Sequence, residues 1–175
     1  MQKLLIVIDM QKDFINGVLG TREAVDVVPK VISKIKGFNG EVIYTRDTHD
    51  ERYLESQEGI KLPVVHCIKE TEGWRLMDTI DELAIKANSK IFDKPAFGSM
   101  EMVKYVSKLY EEKKVDEVEL VGVCTDICVI SNSMLLKSTM PELKIVVDSE
   151  CCAGVTPESH RNALNAMNMC QIEII

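Results

Sequence analysis

Short apolar runs alternate along the chain with longer stretches whose apolar residues recur at helical spacing. Residues 4–8, 42–45, 91–92, 118–121, 145–147 and 172–175 are rich in Val and Ile and show little polar alternation. That is the pattern of strands covered on both faces in a parallel sheet. Between them, Ala24, Val27, Val28, Val31, Ile32 and Ile35 form one helical stripe, and Met102, Val103, Val106, Leu109 and Tyr110 another. Ile127, Ile130, Met134 and Leu135 make a third, and Ala163, Ala166, Met167 and Cys170 a fourth. Thr156-Pro157-Glu158 opens the last of these, with a capping hydroxyl followed by proline at the first helical position. Strand and helix alternating over the whole length predict an α/β class fold, a three-layer α/β/α sandwich with right-handed crossovers. In such sheets ligands bind beyond the carboxyl ends of the strands. The polar residues that matter are therefore expected directly after the apolar runs.

Length and composition narrow the class. At 175 residues the chain is expected to be a single domain spanning 1–175. Its hydrophobic fraction of 46% is ordinary for a globular protein and excludes disordered and fibrous classes. No apolar run approaches the ~20 residues that span a bilayer, and the first run, ending at Asp9, has no basic stretch before it. A cytoplasmic protein without membrane or signal segment is the expectation. The net charge of −7 argues against a nucleic-acid partner, which requires a basic face. The six cysteines are scattered through a chain too large to need staples, so reduced thiols are expected. The Cys124–Cys128 spacing has no second close-set Cys or His pair to complete a structural zinc site.

Several chemistry-bearing residues do follow the runs. Asp9 follows the first, Asp47-Thr48-His49 the second, Asp93-Lys94 the third, Gly122 to Cys128 the fourth and Asp148 the fifth. An acid, an Asp-x-His pair, a lysine and a cysteine thus converge on one rim of the sheet. Cys128 is the best nucleophile candidate. Thr125 or Asp126 can cap the following helix, which places Cys128 in its first turn, where the helix dipole favours a thiolate. Cys124 lies in the strand-to-helix turn, where its N–H can serve as an oxyanion donor. Cys67, Cys151, Cys152 and Cys170 read better as small buried hydrophobes. Of the three histidines, His160 falls in the first turn of the last helix and reads as structural. Asp47, His49 and His66 can form a mixed O/N divalent-metal site with open water positions, the competing reading being a polar loop with incidental histidines.

Taken together, these residues resemble the isochorismatase-like cysteine hydrolases, and within them the nicotinamidase branch. The resemblance runs end to end. It rests on Asp9-Met10-Gln11-Lys12-Asp13-Phe14, Thr45-Arg46-Asp47-Thr48-His49, Gln57-Glu58-Gly59 leading to Pro63 and His66-Cys67, Asp93-Lys94-Pro95-Ala96-Phe97, and Gly122-Val123-Cys124-Thr125-Asp126-Ile127-Cys128-Val129. It implies a six-stranded, mainly parallel sheet with helices on both faces and an Asp9–Lys94–Cys128 catalytic triad. It further implies an oxyanion hole from the N–H groups of Cys124 and Cys128, preceded by a cis Val123–Cys124 bond. One divalent metal would be held by Asp47, His49 and His66, with a fourth ligand from Glu55 or Glu58; zinc leads, and iron or manganese also suit the donors. The expected partner is a small-molecule amide, and family members commonly form dimers or tetramers, so a homo-oligomer is expected.

Phe14, Leu62, Phe97, Val123 and Ile127 are the expected substrate contacts. Two of these positions depart from the branch. Nicotinamidases usually place a ring-stacking Trp shortly before the metal-binding His, whereas this stretch reads Lys61-Leu62-Pro63-Val64-Val65, and the one tryptophan, Trp74, comes eight residues after His66. Ile127 stands where many carry a His. The leading expectation is hydrolysis of nicotinamide to nicotinate and ammonia; the alternative is another small amide, ureide or carbamoyl compound. A non-catalytic scaffold would have lost the triad, and an isochorismatase proper would have no use for Cys128.

Overall fold

The computed structural model describes residues 2–175. In chain order the elements are β1 (Lys3–Ile8), α1 (Lys12–Ile15), α2 (Arg22–Gly37), β2 (Glu41–Asp47), α3 (Gln57–Lys61), α4 (Asp78–Lys86), β3 (Ile91–Lys94), α5 (Met100–Glu111), β4 (Glu117–Val123), α6 (Ile130–Thr139), β5 (Lys144–Ala153), α7 (Pro157–Met169) and β6 (Glu173–Ile174). The strands form one sheet in the order β3-β2-β1-β4-β5-β6, and every pairing is parallel rather than mainly so.

Strand alternation divides the core into two layers. Leu4, Ile6, Ile8, Val118, Leu120, Ile145 and Val147 face α5, α6 and α7, whereas Leu5, Val7, Tyr44, Val121 and Val123 face α2 and α4. Each large apolar side chain so buried contributes about 1.5–3 kcal/mol, which is why both faces must be covered. The expected start of α7 is present: Thr156 Oγ1 accepts from the Ser159 N–H at 3.0 Å and Ser159 Oγ accepts from the Thr156 N–H at 3.0 Å, a reciprocal cap. Among the described residues, no helix is long and apolar enough to cross a membrane.

One expected rim residue is misplaced by the sequence reading. Asp148 does not end its strand. β5 continues past it to Ala153, with a register shift opposite 120–122, and Asp148 pairs with Lys34 of α2 at 2.6 Å. Polar Ser149 and Glu150 hid the continuation, because they sit where the strand is only partly covered.

The order of strands reverses between β1 and β4, and this is the switch point at which a ligand crevice opens. The two strands approach closely there. Gly122 has φ +117°, and a Cβ at that position would lie 2.1 Å from the Ile8 carbonyl oxygen, so only glycine fits. The Val123–Cys124 peptide that follows is cis.

Candidate active site

Asp9 leaves β1 at the switch point with φ 46°, a left-handed conformation that Asp tolerates better than most residues. Its side chain is fully buried. Thr45 Oγ1 donates to Asp9 Oδ1 at 2.7 Å, and Oδ2 lies 2.7 Å from Lys94 Nζ. Among the described residues Oδ2 has no hydrogen-bond partner besides this ion pair, which leaves that oxygen able to take a proton. Lys94, at the end of β3 and 1% exposed, also reaches Asp47 Oδ1 at 3.3 Å and Cys128 Sγ at 3.5 Å. The structure thus brings together Asp9, Lys94 and Cys128 from three different strand ends.

Burial dominates the electrostatics of this trio. It pushes the Asp9 carboxyl up, against the pull of the Lys94 ammonium. Burial disfavours the Lys94 charge, but Asp9, Cys128 and Asp47 outweigh it and hold Lys94 protonated. The Cys128 thiol is pushed well above its ordinary range by burial, reinforced by Asp9 and only partly opposed by Lys94. Burial therefore favours the neutral thiol of Cys128 over the thiolate that a helix dipole alone suggests. Its setting also differs from a capped first turn. Thr125–Val129 is a π-turn, in which the Val129 N–H reaches back five residues to the Cys124 carbonyl at 3.0 Å. Thr125 and Asp126 do not cap it. Thr125 Oγ1 bonds His160 Nδ1 at 2.8 Å, and Asp126 Oδ1 accepts from the Val155 N–H at 3.1 Å, tying the turn to the start of α7. His160 is structural in this sense.

Beside the trio lies a cluster of four metal-type donors. Asp47 Oδ2 is 2.8 Å from His49 Nε2 and 3.6 Å from His66 Nε2, and Glu58 Oε1 is 3.8 Å and 3.7 Å from the same two nitrogens. One ligand atom from each of Asp47, His49, Glu58 and His66 falls within 4.8 Å of all the others. Of the two candidate glutamates it is Glu58 that faces the cluster; Glu55 is exposed in the preceding turn. Ser56 caps α3 by accepting from the Gly59 N–H at 2.9 Å, which aims Glu58 inward. His66 Nδ1 bonds the Val64 carbonyl at 2.7 Å, leaving Nε2 for an ion. Burial opposes ionisation of Asp47, yet hydrogen bonds from His49 and His66 and the Lys94 charge hold it well below the usual carboxylate range. An anionic oxygen, two imidazoles and a second carboxylate fit a divalent cation. Tyr53 went unnoticed in the sequence. It is buried, its ring packs 4.7 Å from His49 and 4.8 Å from His66, and its hydroxyl donates to the Leu62 carbonyl at 2.9 Å.

Cys128 and the four-donor cluster line one cavity of about 710 Å³, with Asp9 and Lys94 buried behind the thiol. Its floor carries Asp47, His49, Glu58, His66, Cys124 and Cys128, and its walls are mainly apolar. Phe14, Leu62, Phe97 and Ile127 line it as expected, joined by Leu19 and Val155. Val123 does not. Strand alternation turns it into the α2/α4 layer, where it is fully buried. Trp74 is also elsewhere, donating from Nε1 to Thr48 Oγ1 at 2.8 Å with the Arg46 guanidinium 3.7 Å from its ring centroid. A second groove, against α2, is lined by Lys3, Lys30, Lys34 and Glu119, whose charges are already paired.

The isochorismatase domain model matches residues 3–175. The chain belongs to the isochorismatase domain family. Within that family it is similar to an uncharacterised isochorismatase family protein of Bacillus subtilis, 30% identical over 175 residues, with 94% of this chain and 93% of the relative covered. Its structure is similar to a pyrazinamidase/nicotinamidase of Streptococcus mutans, at 28% identity and a TM-score of 0.84, over 99% of this chain and 100% of that one. A pyrazinamidase of Pyrococcus horikoshii in complex with zinc is similar at 25% identity and a TM-score of 0.80, over 100% and 99% of the two chains.

Proposed function

We propose that this isochorismatase family protein is a cysteine amidohydrolase that converts nicotinamide and water to nicotinate and ammonia, the whole chain acting as one catalytic domain. The observation that carries the reading is Cys128, backed by buried Lys94 and Asp9, lining one apolar cavity with the Asp47/His49/Glu58/His66 cluster. Likeness to pyrazinamidase/nicotinamidase structures supports the same substrate class.

The chemistry follows from the protonation states. Cys128 begins neutral, so its proton passes to Asp9 as sulfur attacks the amide carbonyl. Lys94 compensates the charge that the buried thiolate and carboxylate share in turn. The tetrahedral oxyanion is received by the N–H groups of Cys124 and Cys128; losing one such donor typically costs ~10²–10³ in rate. The C–N bond breaks as Asp9 returns its proton to the leaving ammonia, and a thioester to Cys128 remains. Water then attacks the thioester with Asp9 as base, the C–S bond breaks, and the thiol is restored with release of the acid. Asp47, His49, Glu58 and His66 would hold a divalent cation, zinc first among candidates and iron or manganese next, which would supply a Lewis-acid anchor for the substrate ring when bound. Phe14 provides one wall for the ring.

Leu62 supports a second reading. Where a stacking aromatic is usual it offers burial without a π-face, which suits a non-aromatic amide, ureide or carbamoyl compound. An ammonia-release screen over nicotinamide, pyrazinamide and small ureides, with and without added divalent metal, separates the two. Turnover of nicotinamide at least tenfold above any ureide is the expected result; the reverse order overturns the substrate assignment.

A further inference from the structure

β2 loses a neighbour just before it delivers Asp47. The β1–β2 ladder ends at Val7 with Tyr44, whereas the β2–β3 ladder runs on to Asp47 with Lys94. The main chain of Asp47, 2% exposed, therefore has no strand on its β1 side to pair its N–H and C=O. The side chain of Gln11 stands there instead. Gln11 Oε1 accepts from the Asp47 N–H at 2.7 Å, and Nε2 donates to the Asp47 carbonyl at 2.9 Å and to the Trp74 carbonyl at 2.8 Å. The carboxamide takes the place of the peptide group that β1 withdrew, and Gln11 is itself fully buried. Its own N–H bonds the Asp9 carbonyl at 2.7 Å, and it bridges to Leu76, so it is fixed at both ends.

From this the geometry assigns to Gln11 the role of positioning residue for a divalent cation, exerted through Asp47. Asp47 reaches two ways from one fixed main chain, Oδ2 toward His49 and His66 and Oδ1 toward Lys94. A neutral carboxamide is the side chain that both donates and accepts here. Glutamate keeps the acceptor but places a carboxylate against two carbonyl oxygens, methionine fills the space with neither function, and asparagine falls one methylene short. The assignment rests on the reading of Asp47, His49, Glu58 and His66 as a metal site.

The test is the Zn²⁺ dissociation constant of the metal-stripped full chain, measured by competition with a chromophoric chelator. Gln11→Met and Gln11→Glu are each expected to weaken Zn²⁺ binding by ~10–100-fold, the usual range for a residue that orients a metal ligand. Gln11→Asn should not restore it. Val106→Ala, which opens a cavity in the opposite layer, controls for general destabilisation: it should lower the melting temperature and leave the Zn²⁺ constant within about twofold of the parent. Unchanged binding in folded Gln11→Met and Gln11→Glu, or an equal loss in Val106→Ala, overturns the role of Gln11 alone. Failure of the unmutated chain to bind Zn²⁺ overturns the metal site and the assignment with it.

Discussion

Cys128 shows how burial decides what a local electrostatic argument leaves open. Its position at a strand-to-helix turn favours a thiolate, but full burial beside Asp9 outweighs that influence and the neighbouring ammonium together. Replacing Cys128 with Ala is expected to abolish turnover. Cys124→Ala should retain much of it, because the role proposed for Cys124 uses its backbone N–H and not its sulfur; equal loss in both variants, measured as steady-state ammonia release, would refute the division of roles. Leu62 carries the second residue-scale expectation. It is 38% exposed at the cavity wall, where it offers an aliphatic face and no ring. Leu62→Trp should lower KM for nicotinamide by about 3–10-fold, the value of one stacked face, and leave kcat little changed, since stacking acts alike on ground and transition states. A fall in kcat/KM for nicotinamide, with the parent enzyme preferring a non-aromatic amide, would favour the second reading.

At the scale of elements, the two ends of the sheet do different work. The carboxyl ends deliver Asp9, Asp47, Lys94 and Cys124, while the amino ends are tied by charge. Glu117 opens β4 between Lys3 of β1 at 2.6 Å and Lys144 of β5 at 2.9 Å. Burial alone would raise the Glu117 carboxyl, but the two ammonium groups outweigh it and hold it below its ordinary value. A carboxyl depressed by folding stabilises the native state above the unfolded pKa of about 4.3, and this contribution is lost as pH falls through the lower native value. Both lysines are more than 40% exposed, so solvent screening limits the contribution to roughly 0.5–1 kcal/mol. Glu117→Gln should therefore lower stability at neutral pH by that amount and flatten its decline below about pH 4.3; urea unfolding at several pH values measures both. A second tie shows the same logic within one layer. Buried Asn132 of α6 donates to the Cys128 carbonyl at 2.8 Å and the Phe97 carbonyl at 3.1 Å, and accepts from the Ser99 N–H at 2.9 Å, joining the Cys128 turn to the segment after β3.

Across the whole molecule, the site is assembled from residues far apart in sequence, carried on the ends of different strands. A cation bound by Asp47, His49, Glu58 and His66 should stabilise the native chain as any ligand of the folded state does. At ~100 times its dissociation constant the gain is about 2.7 kcal/mol. For a chain of this size that corresponds to a rise of roughly 5–10 °C in melting temperature, read by calorimetry with and without Zn²⁺. Chelation, or His49→Ala combined with His66→Ala, should remove the shift and raise KM more than it lowers kcat if the ion anchors the ring. A loss confined to kcat would assign the ion to water activation instead.

The amino-acid sequence by itself determined the scaffold. Strands covered on both faces must be apolar runs, helices laid on them must be amphipathic, and a helix opened by Thr156 and Pro157 carries its own start signal, so each of these is written locally. The rule that ligands sit beyond strand ends made Asp9, Asp47, Lys94 and Cys128 legible as candidates, because the first three come within two residues of their runs and Cys128 lies in the turn that follows its own. The helix at Asp78–Lys86 was not read, since only Ile80 and Ala84 mark its buried face. Tertiary structure alone decided the rest. Whether Glu55 or Glu58 faces the histidines depends on how the short turn Tyr53–Glu55, anchored by the Tyr53 ring against His49, leads into α3. That Asp148 lies within β5 depends on α2, whose Lys34 compensates a carboxylate the strand would otherwise exclude. The clamp of Gln11 on Asp47 joins positions 36 residues apart, and Lys94 meets Cys128 across 34. Local pattern encodes the period and the ends of an element. Which polar atoms then meet is set by strand order and register, and how strongly they hold a proton is set by the burial that only the packed layers create.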